Sequence, residues 1–221
     1  MREATERVRR GRGRRPAEEV RRDILQAAGN LLLEEGMAAF TIERVAARAG
    51  ASRMTVYKWW PSKGALAFDG YFSVVAPALA FPDTGDITAD LTTQLQAFVR
   101  LMRETPAGRV MPELIGQAQT DPELSAALRE RYSGPRRRLA VEVLERAKQR
   151  GQVRADVDAE AVVDQLWGAC YNRLLVPDQP LTDEFATTLV HNLLVGIGKP
   201  PPSRTRKPSG RAGRGAPSVG K

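Results

Sequence analysis

Apolar residues recur at three- and four-residue intervals along most of the chain, which is the spacing of one face of an α-helix. Over residues 16–35 this pattern is carried by Val20, Ile24 and Ala28 and by the leucines between and after them. Pro16 suits the first turn of a helix, and Gly36 is a natural stop. The segment is therefore predicted to be an amphipathic helix.

Two short helices joined by a tight turn are predicted next. Thr41 is a good N-cap residue for a helix that continues to about residue 48, and the turn at residues 49–51 contains Gly50. Ser52 caps another short helix through residue 59, because Pro61 pushes the residue before it out of the helical region. Two short helices with a glycine-containing turn form a candidate helix-turn-helix.

The rest of the chain also has a helical pattern. A fourth helix is predicted from Ser62 toward Pro77, and the segment 81–86, with Pro82 and Gly85, is predicted to be a linker. Six more helices are predicted, near 87–104, 106–119, 122–132, 135–150, 158–176 and 182–197. An alternating strand pattern of useful length is missing, so the predicted fold class is all-α.

Charge is distributed unevenly along the chain. Of a net charge of +8, residues 1–22 contribute nine arginines against four glutamates, and residues 199–221 contribute seven lysines or arginines and no acidic residue. Residues 23–198 are left with a net charge of −4. Basic ends on an acidic body favour double-stranded nucleic acid as the partner over an anionic membrane. Tails that only add solubility are the alternative.

Several classes of site and location are not expected. One cysteine, Cys170, cannot form an internal disulfide, and one histidine, His191, rules out a multi-histidine metal site. We find no phosphate loop, nucleophile elbow or acid–base pair, so neither catalysis nor a cofactor is expected, and no metal. Without an apolar leader or an eighteen-residue apolar stretch, the expected location is the cytoplasm, at the nucleoid when bound to DNA.

The segment 41–66, TIERVAARAGASRMTVYKWWPSKGAL, resembles the DNA-binding signature of the TetR (tetracycline-repressor) family of transcriptional regulators. The matching positions are Thr41, Ile42, Val45, Ala46, Ala49, Gly50, Ser52, Thr55, Tyr57, Trp60, Lys63 and Leu66. Met54 and Trp59 depart from the pattern, which often has a small residue and His or Tyr there. Because both departures lie near the surface that faces DNA, base preference does not transfer from relatives.

The resemblance, together with position on the recognition helix, indicates the DNA contacts. Arg53 is the candidate for direct base readout, because its planar fork matches O6 and N7 of guanine. Phosphate contacts implied by the family fix register more than they specify sequence. The full set of predicted DNA-binding residues is Arg12, Arg14, Arg15, Thr41, Ser52, Arg53, Met54, Thr55, Tyr57, Lys58, Trp59 and Lys63.

Two parts of this set have alternatives. Trp60 is expected in the core, whereas Trp59 either contacts the DNA backbone or packs. The run at residues 9–16 loosely resembles an AT-hook, although Arg15 interrupts the Arg-Gly-Arg-Pro core. It is expected to enter the minor groove of A·T-rich DNA, with general attraction to phosphates or no role in DNA binding as alternatives.

Beyond the signature, the resemblance is one of layout and implies a ligand-binding and dimerisation domain. In the family, the last two helices form a four-helix bundle with a second copy, and the candidates here are Val162, Val163, Leu166, Ala169, Cys170, Leu174, Phe185, Leu189, Leu193 and Leu194. The same residues are equally suited to the core. The predicted ligand-binding residues are Phe98, Met102, Met111, Leu114, Ile115, Gln117, Trp167, Tyr171 and Asn172. Their mix suggests an apolar or amphipathic small molecule.

The resulting hypothesis is a ligand-responsive regulator, acting as a repressor, that binds a palindromic operator as a homodimer. The predicted divisions are a disordered basic arm (1–16), a three-helix helix-turn-helix domain (17–80), a larger helical domain (86–198) and a disordered basic tail (199–221). An architectural protein that coats DNA without effector control is the alternative. An enzyme on a helical scaffold is the third interpretation.

Overall fold

The computed structural model describes residues 15–176 and 178–196. Within these ranges the regular structure is helical throughout, which confirms the predicted all-α class. The elements are α1 (Ala17–Glu35), α2 (Ile42–Ala49), α3 (Arg53–Trp59), α4 (Lys63–Val75), a 3₁₀ turn (Ala76–Leu79), α5 (Ile87–Glu104), α6 (Ala107–Ala118), α7 (Pro122–Ala127), a π-helical segment (Leu128–Ser133), α8 (Gly134–Gln149), α9 (Ala159–Leu175) and α10 (Asp183–Val195).

The short helices α2, α3 and α4 begin where their N-caps predict. The side-chain oxygens of Thr41, Ser52 and Ser62 each accept a hydrogen bond from the backbone N–H three residues later, at 3.0–3.2 Å. Gly50 ends α2 with a φ of 61°, in the left-handed region that glycine adopts without a steric penalty. Local chemistry therefore defines the helix-turn-helix, as the sequence predicts.

Helices α1 and α4 cross closely and hold the N-terminal helices together. The crossing is made at Gly29 and Gly70, where a Cβ on Gly70 would lie 2.7 Å from Cβ of Ala28 and 3.0 Å from the backbone N of Gly29. The bulkiest fully buried side chains of this part come from α1, α4 and the segments between helices, and they are Ile24, Leu31, Leu32, Phe40, Trp60, Leu66, Phe68 and Tyr71.

The segment before α5, predicted to be a linker, is anchored to α8. The Asp83 carboxylate accepts hydrogen bonds from both terminal nitrogens of Arg150, at 2.6 and 3.2 Å, and Gln152 donates to the Gly85 carbonyl. The Arg150 guanidinium lowers the pKa of the exposed Asp83 carboxyl. Residues 80–86 therefore have no helix but are bound to the larger domain.

The sequence predicts separate helices over 122–132 and 135–150, and here the structure differs. The chain stays helical from α7 through α8 because the π-helical segment replaces the predicted break. Pro135 has no N–H to continue an α-helical ladder, and the Gly134 N–H instead bonds to the Arg129 carbonyl, five residues back. A Cβ on Gly134 would lie 2.6 Å from that carbonyl oxygen, so glycine permits this approach.

Replacement of Gly70 with alanine tests the crossing of α1 and α4. Gly70→Ala is expected to lower the free energy of unfolding by about 1–3 kcal/mol, because the new methyl group overlaps α1 backbone and Ala28. Urea unfolding of the full chain at fixed protein concentration measures the change. Gly116→Ala is the matched control, since Gly116 is in α6 with open space around it, and it should be neutral or stabilising by up to about 1 kcal/mol. Equal stability of the Gly70 variant and the wild type would contradict the close crossing.

Candidate DNA-binding face and effector cavity

Helix α3 is attached to the protein along one side only. Val56 is its buried residue, whereas Met54 is 78% exposed and Tyr57 is 44% exposed. Exposed large apolar and aromatic side chains on a short helix are costly to leave in water unless a partner covers them. The outward side of α3 exposes the residues that the sequence predicts to face base edges, and it is therefore the candidate contact surface.

Arg53 lies at the first position of α3 and is anchored by one ion pair. Its Nη2 lies 3.0 Å from Oε1 of Glu43 on α2, and both side chains are more than half exposed. Such a pair is weak in water, so it orients the guanidinium without holding it strongly. The arginine fork is thus positioned on the outward surface and can exchange its carboxylate partner for another acceptor.

The hydroxyl and ammonium groups predicted to contact DNA lie at the ends of the short helices. The oxygens of Thr41 and Ser52 accept the cap hydrogen bonds, and the Ser52 and Thr55 hydroxyls lie 2.8 Å apart. Lys58 and Lys63 are exposed at the end of α3 and the start of α4. These residues lie at the two ends of α3 and at the starts of α2 and α4, and their predicted role is to contact phosphates.

The two adjacent tryptophans have different environments. Trp60 is 1% exposed, which confirms its prediction as a core residue. Trp59 is half-buried, and its ring centroid lies 5.9 Å from that of Trp60 in an edge-on arrangement. The Nζ of Lys58 lies 5.8 Å from the centroid of the Trp59 ring. Packing therefore involves part of the Trp59 ring, and its exposed part stays a predicted DNA contact.

The basic arm lies almost entirely outside the described residues, and with it the predicted contacts Arg12 and Arg14. Arg15 is described, and its guanidinium pairs with Glu19 and Asp23 on the first turns of α1. These two carboxylates neutralise the Arg15 guanidinium. A DNA contact by Arg15 would have to replace them.

A cavity of about 190 Å³ opens in the larger domain between the 3₁₀ turn, α5, the π-helical segment, α8 and α9. Three of the nine predicted ligand-binding residues line it: Phe98, Trp167 and Tyr171. Its other lining residues are Leu79, Phe81, Tyr132, Ser133, Arg136, Arg137, Ala140, Val163, Asp164 and Gly168.

The other six predicted ligand-binding residues do not line this cavity. Met102, Met111 and Leu114 are buried in the core, and Ile115 is half-buried against it. Gln117 and Asn172 are exposed to solvent. The structure places each of these six residues in the helix that the sequence predicts, but the direction in which its side chain points depends on how the helices pack.

The cavity combines aromatic walls with a few polar groups. The hydroxyls of Tyr132 and Tyr171 are 3.4 Å apart, and burial raises the pKa of both, so each stays protonated at neutral pH. Arg137 pairs with Glu160 and Asp164 at the mouth of the cavity. Arg136 donates a 2.8 Å hydrogen bond to the Leu79 carbonyl.

A chain of contacts connects this cavity to the end of α3. Trp60 Nε1 donates to Oδ2 of Asp69 on α4, at 2.8 Å, and Nη1 of Arg131 reaches the same oxygen, also at 2.8 Å. Arg131 precedes the cavity residue Tyr132, whose ring packs against Tyr71 and Phe72 of α4, with centroids 5.8 and 6.0 Å away. The π-helical segment and the residue that follows α3 are therefore bonded to the same carboxylate oxygen.

Sequence reasoning missed Asp69, Arg131 and Arg136. The run Arg136-Arg137-Arg138 has the appearance of a solvated basic cluster, but the spacing of buried neighbours carried a signal. Buried Tyr132, Ala140, Val143 and Ala147 form one apolar stripe, and Arg136 falls on it, four residues after Tyr132 and four before Ala140. An arginine on an apolar stripe is a candidate for an internal role.

Three other features of the described residues are their metal-ligating side chains, the length and hydropathy of their helices, and their one cysteine. No group of three or more metal-ligating side chains is found there. None of the helices in these ranges is both long and apolar enough to cross a bilayer. Cys170 is buried, and burial raises the pKa of its thiol to about 12, so it is not a reactive thiolate.

Two family sequence models match separate parts of the chain. Residues 24–69 match the sequence model described as "Bacterial regulatory proteins, tetR family". Residues 81–193 match the model described as "Tetracyclin repressor-like, C-terminal domain". The second match alone spans about half of the chain.

Individual relatives cover most of the molecule. The HTH-type transcriptional regulator YdeS of Bacillus subtilis is 37% identical over 186 residues, 84% of this chain and 93% of that protein. A DNA-binding transcriptional repressor TetR of Mycobacteroides abscessus is 30% identical over 180 residues, 80% of this chain and 93% of the relative. The crystal structure of the TetR family regulator SCO0332 is 58% identical with a TM-score of 0.77, covering 82% of this chain and all of that one. The chain therefore belongs to the TetR family of bacterial transcriptional regulators.

Proposed function

We propose that this regulator is a ligand-responsive repressor that binds a palindromic operator as a homodimer and is released by a small apolar or amphipathic effector. In this proposal residues 17–80 form the DNA-binding domain and residues 86–198 the effector-binding and dimerisation domain. The observation that carries it is the contact chain from the cavity through Tyr132, Arg131 and Asp69 to Trp60 at the end of α3. The relative named as a repressor supports the sign of the regulation. A regulator of this bacterial family would act at the nucleoid in the cytoplasm.

The release mechanism follows from the position of the π-helical segment between the cavity and α4. An effector that enters the cavity contacts Tyr132, and the neighbouring Arg131 transmits its displacement to Asp69. Because Asp69 also holds the Trp60 indole, the orientation of α3 changes with it. In a dimer, a small rotation of each α3 prevents both reading helices from fitting successive major grooves.

The proposed dimer interface uses the outer faces of α9 and α10. Four of the candidate residues are buried within their own protomer and serve its core: Val162, Val163, Leu166 and Cys170. The others keep part of their apolar surface exposed: Ala169, Leu174, Phe185, Leu189, Leu193 and Leu194. Half-exposed apolar residues on two adjacent helices suit a two-fold interface in which each helix pair meets its symmetry mate.

The oligomeric state and the shape of the operator test the proposal together. We expect sedimentation to give twice the chain mass at micromolar concentration. We also expect footprinting to give a short palindrome with half-sites one helical turn, about 34–36 Å, apart. DNA next to its own gene is the first fragment to test. A monomer that binds one copy per site would contradict the dimer, and long, weakly selective coverage would favour the architectural alternative.

Two variants are expected to distinguish a residue that reads bases from a residue that contacts phosphate. Arg53→Ala should weaken binding to the preferred operator by about 1–3 kcal/mol and relax base preference, because the arginine fork is the direct reader. Lys63→Ala should weaken binding to all sequences alike, because a phosphate contact carries no sequence information. Selection from a randomised operator library measures both effects. The same uniform loss in both variants would show that Arg53 is not a base reader.

Removal of residues 1–14 tests the proposed minor-groove role of the arm. The deletion removes six arginines, and it should flatten the slope of log affinity against log salt by about 0.9 for each phosphate that the arm neutralises. It should also reduce the preference for A·T pairs that flank the operator, since the minor groove is narrow there. Deletion of the basic tail 199–221 is the control and should have the smaller effect. An unchanged slope and unchanged flanking preference would show that the arm does not contact DNA.

A further inference from the structure

Arg136 is an unusual group to find on the wall of an apolar cavity. It lies on the buried stripe of α8, between Tyr132 and Ala140, and its guanidinium stacks 5.0 Å from the centroid of the Phe81 ring. Burial lowers the pKa of Arg136, but an arginine stays protonated at neutral pH. The wall therefore holds a partly desolvated positive charge.

This charge has no carboxylate partner among the described residues. No such carboxylate lies within ion-pair distance, 4.0 Å, of its guanidinium, although Glu142 borders a second cavity on the other side of Arg136. The neighbouring Arg137 differs, because it pairs with both Glu160 and Asp164. Of the two arginines that line the effector cavity, Arg137 is neutralised and Arg136 is not.

The donors beside the cavity are also incompletely used. A guanidinium has five N–H groups, and one Arg136 N–H is bonded to the Leu79 carbonyl. The Tyr171 hydroxyl donates to the Tyr132 oxygen at 3.4 Å, so the Tyr132 proton remains available for a further acceptor. A partly desolvated cation and a phenol whose proton has no acceptor among the described residues are both costly, and an anionic oxygen satisfies both.

The rest of the lining selects the body of the ligand. Rings of Phe81 and Trp167 lie 5.8 Å apart, and those of Phe98 and Tyr171 lie 5.3 Å apart. Aromatic walls favour an aromatic ligand through edge-on and offset contacts. The volume of about 190 Å³ is below the roughly 300–1,000 Å³ of drug-sized sites, which favours a compact molecule.

We infer that the effector is a small aromatic carboxylate whose carboxylate pairs with Arg136 and whose ring lies against Phe98, Trp167 and Tyr171. This inference rests on the proposed function, because it names the ligand class of the same cavity. The half-exposed mouth, where Asp164 and Arg137 form their ion pair, is the route of entry. A neutral or cationic analogue leaves Arg136 without a counter-ion and binds more weakly.

Titration calorimetry of the full-length protein with matched probes tests the charge. The probes are 3-phenylpropanoate and its neutral isostere 3-phenylpropanamide. We expect the acid to bind about 10- to 100-fold more tightly than the amide, because a charge-assisted hydrogen-bonded pair replaces a neutral contact. Hexanoate, an acid without a ring, should bind about 2- to 10-fold more weakly than 3-phenylpropanoate.

Variants on α8 assign the effect to one arginine. Arg136→Met keeps the length of the stem and should abolish the discrimination between acid and amide. Arg138→Met is the matched control, because Arg138 is exposed on the same helix outside the cavity lining, and it should bind like the wild type. Arg136→Lys, which keeps the charge but loses the planar guanidinium, should retain part of the preference for the acid over the amide. This variant still tests the role of Arg136 if Arg136→Met does not fold.

Three results overturn the inference. These are equal binding of acid and amide, unchanged discrimination in Arg136→Met, and no binding of 3-phenylpropanoate to the wild type at millimolar concentration. Equal binding of hexanoate overturns the aromatic part. Operator affinity measured with and without 3-phenylpropanoate tests the proposed function separately from the ligand class. If the acid binds through Arg136 and the operator stays bound, the ligand class holds and effector-driven release fails.

Discussion

The shared carboxylate of Asp69 is the contact on which the proposed activity of this molecule depends. One of its oxygens accepts hydrogen bonds from Trp60, at the end of the recognition helix, and from Arg131, in the π-helical segment. The carboxylate is only partly exposed, so both bonds are formed in a poorly hydrated environment where they are stronger than on the surface. The close packing of α1 on α4 holds Asp69 in place. These two bonds link the residue that follows α3 to the π-helical segment that lines the cavity.

The π-helical segment explains why a hydroxyl and a guanidinium both line the cavity. Because Pro135 interrupts the α-helical ladder and Gly134 allows a bond to the carbonyl five residues earlier, the helix continues with one wider turn. Tyr132 lies on that turn and contacts α4, while Arg136 begins the next one and lines the cavity. A single irregularity therefore brings together a hydroxyl, a cation and the link to the DNA-binding helices.

The candidate DNA-binding face, in contrast, depends on features between residues that are close in the sequence. Three N-caps and Gly50 set the bounds of α2, α3 and α4, and the one buried position of α3 leaves its other side exposed. The sequence adds an electrostatic contrast, because residues 23–198 are acidic overall while residues 1–22 and 199–221 are basic. Positioning by surrounding hydroxyls and ammonium groups, and readout by Arg53, are the roles that this arrangement favours.

The sequence by itself determined the helix-turn-helix and nearly all helix bounds, because caps, glycine stops and apolar periodicity act between residues close in the chain. It also placed Trp60 in the core. Tertiary structure alone decided that Phe98 lines the cavity while Met111 and Leu114 fill the core, and that Arg136 points inward from a basic run. Helical periodicity shows which side of a helix is apolar, but not which part of that side meets a neighbour and which part meets a void. That difference depends on how helices distant in sequence pack together.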